Sequence, residues 1–154
     1  MKDKLRIHGA FLLAVDTTHT AKNSKKMIGI QKWIEHSGNA DRGEYIIGHH
    51  WGIAGLISHF ANRFLCWPVL TMMISGKKNP SHYVSGPDGL CQMTFWVPVL
   101  AMVFQTWQFL DEQALRVVVD AYFANISFIN PLIEKGIHVV TRWQKNGVGW
   151  DDAG

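Results

Sequence analysis

Phe11-Leu12-Leu13-Ala14-Val15-Asp16 and Val117-Val118-Val119-Asp120 are two apolar runs that each close on a single aspartate. A short apolar run bounded by polar residues has the length and composition of a strand buried on both faces. Each run therefore predicts a strand that delivers one carboxylate to its exit, where the sheet holds the backbone and solvent reaches the side chain. One such aspartate alone would ordinarily cap the next turn. Two of them, on the first and fourth strands of the order below, point to a shared divalent cation. Mg²⁺ takes one or two carboxylates while water and phosphate oxygens complete its octahedron.

Working outward, the first strand is predicted over 8–15. Residues 17–43 are polar and basic, with Lys22, Lys25, Lys26, Lys32 and Arg42. Turn residues at Ser37-Gly38-Asn39 and the lack of a helical period make this stretch a long loop. Two strands follow, over 44–59 and 64–75, joined by a hairpin at Ala61-Asn62-Arg63. Pro68 has no N–H to donate and belongs at a bulge or an edge. Residues 77–89 read as a turn-rich connection. Between 93 and 113 apolar residues recur every three or four positions, which predicts a helix with Thr94 as its N-cap. Pro98 requires that helix to begin just before it. A strand over 115–120, a helix over 127–135 closed by Gly136, and a strand over 137–143 complete the chain; 144–154 reads as a turn-like tail. The order is β-β-β-α-β-α-β, an α/β mixed sheet with helices on its faces.

The bulk composition suits one such domain. Of 154 residues, 47% are hydrophobic and 18% charged, which excludes a disordered chain. The net charge of +3 would suit a polyanionic partner, although many ordinary domains carry as much. Cys66 and Cys91 form no CxxC and read as two reduced thiols. The first apolar run stops at Asp16, too soon for a signal peptide, so a cytoplasmic location is expected. Residues 95–110 contain Pro98, Gln105 and Gln108 and fall short of the roughly 20 residues of a span. Residues 51–74 are interrupted by His59, Asn62 and Arg63. No membrane partner is expected.

Val15-Asp16-Thr17-Thr18, with the lysines of Ala21-Lys22-Asn23-Ser24-Lys25-Lys26-Met27, resembles the first catalytic block of DDE transposases of the insertion-sequence type. Val117-Val118-Val119-Asp120-Ala121-Tyr122-Phe123, then Ile137-His138-Val139-Val140-Thr141-Arg142, resembles the second. Tyr45-Ile46-Ile47-Gly48-His49-His50-Trp51 is similar to that family's second strand. The resemblance runs from about residue 11 to 150. It implies a ribonuclease-H-like fold, with residues 1–154 as a single partial catalytic domain. It also implies Asp16 and Asp120 as catalytic acids and ligands of Mg²⁺ or Mn²⁺, and DNA, at transposon ends and targets, as partner. An intact relative would hydrolyse a DNA strand with water and then use the freed 3′-hydroxyl to attack target DNA.

One departure qualifies that expectation. The family's third acid is a glutamate on a helix after the fifth strand, and the sequence stops before such a helix. Asp151 and Asp152 follow a Gly-rich turn and are not assigned to the triad. The chain thus reads as a truncated core, inactive on its own. The alternative is a non-catalytic remnant that binds only DNA or a partner transposase subunit. A third reading, Asp16 as a phosphatase nucleophile, would want an acid where Thr18 stands.

Lys22, Lys25 and Lys26 would neutralise DNA phosphates under the resemblance and are otherwise a solvated loop. Arg142 either holds a phosphate bidentately or pairs with a nearby carboxylate. His49 and His50 are adjacent on a strand and point to opposite faces; a buried, hydrogen-bonded role is expected for them. His19 is a weak candidate near Asp16. The scattered tryptophans read as core, not as a platform for stacked bases.

Overall fold

In a computed structural model the structure describes residues 5–23, 26–34, 45–74, 83–86, 89–92 and 96–142, with backbone alone at 83–92 and Trp96. The elements are β1 (Arg6–Ile7), β2 (Ala10–Ala21), β3 (Gln31–Ile34), β4 (Tyr45–Phe60), β5 (Arg63–Ile74), β6 (Tyr83–Gly86), β7 (Gly89–Gln92), α1 (Trp96–Phe109), β8 (Leu115–Val118), a 3₁₀ turn (Ala121–Phe123), α2 (Ile126–Ile133) and β9 (His138–Val140).

The chain is mixed α/β. Its main sheet has the spatial order β5-β4-β2-β8-β9, with β1 on β2 and β3 on β4. β2, β4 and β5 form an antiparallel meander. β8 then pairs parallel with β2, and β9 parallel with β8. A helix precedes each of these two parallel strands, as a crossover between parallel neighbours requires.

The apolar runs explain the core. Phe11, Leu13 and Val15 of β2 alternate onto one face, beside Leu115 and Val117 of β8 and Ala54 and Leu56 of β4, and all are buried. α1 lays Val99, Met102 and Val103 on this face, and α2 adds Phe128 and Leu132 to the same cluster. Each large side chain fully buried here contributes about 1.5–3 kcal/mol. Gly52 makes room for α1: a Cβ there would lie 2.8 Å from the Met102 sulfur. The two helices touch each other, so both lie on one face, not on both faces as the sequence predicted. The reverse face carries Leu12, Ala14, Ile53, Ile57, Val118 and Val140, and no described helix packs on it.

Several boundaries differ from expectation. β2 does not end at Val15 but runs on to Ala21, because residues 17–21 keep pairing with 48–52 of β4. The stretch expected to be one long loop also contains β3, whose Trp33 indole N–H donates to the Gly48 carbonyl at 3.0 Å. Glycine is needed at 48, since a Cβ would collide with the Thr20 carbonyl across the ladder. The connection expected at 77–89 contributes to a second, two-stranded sheet, β6–β7. The β4–β5 hairpin turns on Ala61 and Asn62, with φ of +49° and +60°. Positive φ at both central residues matches the right-handed twist of the strands. The ladder shifts register between Ala54 and Gly55, next to Pro68, as a proline in a strand requires.

α1 begins at Trp96, so Pro98 falls in its first turn, where backbone N–H groups have no helical acceptor. Thr94 lies outside the described residues. α2 starts on Asn125, whose side chain accepts from the Ser127 N–H at 2.8 Å. It closes as predicted at Gly136 (φ +71°), with Gly136 N–H to Ile133 O and Ile137 N–H to Leu132 O. β9 is shorter than the predicted 137–143, and no described helix is long and apolar enough to cross a membrane.

Candidate metal and phosphate site at the strand exits

β8 and β9 end level with each other, while β2 runs on beside β4 to Ala21. The ladders align Ala14 with Val118 and Val118 with Val140 in a single row. Two residues past that row stand Asp16 on β2, Asp120 after β8 and Arg142 after β9. Asp16, inside β2, shares a face with Leu12 and Ala14, opposite the helices; Asp120 and Arg142 stand past the last rungs of β8 and β9. All three are exposed. Asp120 follows the end of β8 as the sequence predicts, whereas Asp16, expected at a strand exit, lies inside β2, because β4 keeps pairing with the residues beyond it.

Local hydrogen bonds fix each carboxylate. Asp16 Oδ1 accepts from the Thr17 N–H at 2.7 Å, while the backbone there remains in the ladder opposite Ile53. Asp120 has left its ladder: Val119 N–H still bonds Val140 O, but Asp120 is the N-cap of the 3₁₀ turn. Its Oδ1 accepts from Tyr122 N–H at 3.0 Å and its carbonyl from Phe123 N–H at 3.2 Å. A further bond arrives from the neighbouring strand, where Thr141 Oγ1 donates to the Asp120 carbonyl at 2.7 Å. Thr141 was not among the sequence candidates; only its place between β9 and Arg142 could have singled it out.

The donor set suits a hard divalent cation. One carboxylate stands within β2 and the other just past the neighbouring β8, and no described Lys, Arg or His pairs with either. Mg²⁺ and Mn²⁺ are held by such oxygen donors with water or phosphate completing the shell. Among the described residues no three His, Cys, Asp or Glu side chains gather into a fuller metal site. Asp151 and Asp152 lie outside the described residues.

The basic candidates are spread out. Because β2 continues to Ala21, Lys22 is carried about 20 Å along the strand from Asp16 at the usual rise per residue. Lys22 is half-buried and Lys26 exposed, and Lys25 is outside the described residues. Lys32 sits over the Tyr45 ring at 3.7 Å.

The histidines belong elsewhere. His19 has the opposite parity to Asp16 and stacks on its cross-strand partner His50, ring centroids 4.1 Å apart, with Trp33 edge-on to His50 at 4.8 Å. Burial, and secondarily the charge His19 can carry, lowers the His50 pKa to about 4. His49 is buried on the other face, its Nε2 2.9 Å from the Ile28 carbonyl. Trp67, expected in the core, is instead 53% exposed; its indole N–H donates to Ser58 Oγ. Cys66 is a free, exposed thiol.

In comparisons with known proteins the chain matches no family model, no curated protein and no solved structure.

Proposed function

We propose that this chain is a ribonuclease-H-like core of the DDE transposase type, which holds a divalent cation between Asp16 and Asp120 and binds DNA phosphates; with no third acid assigned, strand cleavage by the chain alone is not expected. The observation that carries this reading is the level placement of Asp16, Asp120 and Arg142 two residues past the row Ala14–Val118–Val140. An antiparallel three-strand meander, followed by two parallel strands each reached through a helix, supports the same reading.

Bound Mg²⁺ or Mn²⁺ would supply Lewis-acid polarisation of a phosphoryl oxygen and a more acidic water. The protein groups do the rest. Asp16 within β2 and Asp120 just past β8 would hold the ion and set where a phosphate can lie. Arg142 offers a planar fork of donors to two phosphate oxygens. Lys22, Lys25 and Lys26 neutralise phosphates farther along the duplex, which fixes position without reading sequence.

The test is Mn²⁺ binding by the purified chain, measured with and without a short DNA duplex. Binding that needs both Asp16 and Asp120, and that tightens several-fold when DNA supplies phosphate oxygens, is the expected result. Mn²⁺ affinity unchanged in Asp16→Asn and Asp120→Asn, or indifferent to DNA, would overturn the proposal.

A further inference from the structure

The two hydrogen bonds from Tyr122 and Phe123 tie Asp120 only to its own turn. They set the side-chain rotamer within the 3₁₀ turn and leave open where that turn sits against the sheet. The ladder does not settle this, because its last bond is Val119 N–H to Val140 O. Past that bond Asp120 is still extended, and the 3₁₀ turn that it caps begins at Ala121. Thr141 spans the gap. Its hydroxyl lies 2.7 Å from the Asp120 carbonyl and 3.4 Å from the Arg142 carbonyl. A hydroxyl has one proton to donate, and the shorter contact takes it.

We propose that Thr141 is a positioning residue: its hydroxyl fastens the Asp120 turn to the exit of β9, holding Asp120 level with Asp16 and at a fixed offset from Arg142. This rests on the metal-holding reading of the two aspartates. Two facts favour threonine here. Its branched Cβ suits a strand end and restricts χ1, so the hydroxyl is aimed with little loss of freedom. The acceptor is a main-chain carbonyl, so the bond holds the backbone and leaves both carboxylate oxygens of Asp120 to the Tyr122 N–H and the ion. Groups that orient a metal ligand in this way commonly change affinity by about 10–100-fold when removed.

The experiment uses the ¹⁵N-labelled full chain titrated with Mn²⁺, reading paramagnetic broadening of the Thr17 and Tyr122 amide signals. Thr141→Val keeps the shape and removes the hydroxyl; Thr141→Ser restores the hydroxyl. Expected is about tenfold weaker Mn²⁺ binding in Thr141→Val and binding within about twofold of wild type in Thr141→Ser. Amide hydrogen exchange at Tyr122 and Phe123 should quicken in Thr141→Val while that of Leu13 and Val117 stays slow; a general loss of stability would quicken all four. Should Thr141→Val fail to fold, Thr141→Ala against Thr141→Ser makes the same comparison. Equal Mn²⁺ affinity in wild type and Thr141→Val, with Asp16→Asn still abolishing it, would overturn the role of Thr141 alone. Wild-type broadening that survives Asp16→Asn would overturn the metal reading and this proposal with it.

Discussion

Ala14 pairs with Val118 in the parallel ladder between β2 and β8, and each stands two residues before an aspartate. That coincidence of register, not nearness in sequence, underlies the proposal that Asp16 and Asp120 share one ion. Under that proposal, metal binding couples to folding. A ligand that binds only the folded chain stabilises it, by about 1.4 kcal/mol at ten times its Kd, or roughly 3 °C in Tm for a domain of this size. Mn²⁺ should raise the wild-type Tm by about that much. Asp16→Asn and Asp120→Asn should each abolish the shift, and asparagine at 120 still caps the 3₁₀ turn. Calorimetric melting with and without Mn²⁺ checks this.

The close approach of β2 and β4 at Gly48 leaves no space for a side chain, because the obstacle is the Thr20 carbonyl and not a flexible group. Gly48→Ala should destabilise the fold by about 2 kcal/mol or more, since backbone must move. Gly9, with nothing near its absent Cβ, is the control for crowding, although its φ of +78° adds strain of its own. Urea midpoints of the two variants rank them, and Gly48→Ala should be the worse.

Ala61 holds a φ of +49° at the hairpin tip, a conformation that costs an L-residue about 1–2 kcal/mol. Ala61→Gly removes that strain and loosens the unfolded chain, and the two effects oppose. The net expectation is a gain of about 0.5–1 kcal/mol, read as a higher urea midpoint at unchanged m-value.

His50 gives the fold an acid limit. Its folded pKa of about 4 lies below the unfolded 6.5, so folding favours the neutral ring. The stability tied to that neutral ring is complete above pH 6.5 and is lost as pH falls from there toward 4. The loss reaches about 2 kcal/mol by pH 5. His50→Phe should flatten the pH dependence of the urea midpoint between pH 7 and 5. A slope as steep as wild type would show that other groups set the acid limit.

The sequence disclosed the strands whose side chains are buried and hid those held by backbone pairing. Phe11 to Val15 and Leu115 to Val118 announce themselves through apolar content, and the β4–β5 hairpin through its turn residues. Thr17 to Ala21 carry no such signal. They stay extended because β4 is long enough to keep pairing with them. β3 is four residues of mixed polarity, recruited by the same strand. The site was legible to the same degree. Two aspartates closing apolar runs could be read off the chain, but that Asp16 lies within β2, and that Ala14 and Val118, each two residues before an aspartate, share a rung, are properties of ladder pairing. Arg142 could be named as a phosphate ligand, yet its alignment with the acids follows only from the pairing of Val118 with Val140. Thr141 contributes through one main-chain contact, which no composition or spacing encodes.

The pairing of β2 with β8 also sets a timetable. The β4–β5 hairpin joins residues that are neighbours in sequence, and such a unit closes in microseconds. Leu12 and Arg116 stand 104 positions apart yet share a rung. At synthesis rates of about 5–20 residues per second, roughly 5–20 s separate their departures from the ribosome. Throughout that interval the nascent chain can fold its meander around β4. Asp16 meanwhile waits within β2, opposite Ile53, as a solitary carboxylate whose proposed partner acid has yet to be made.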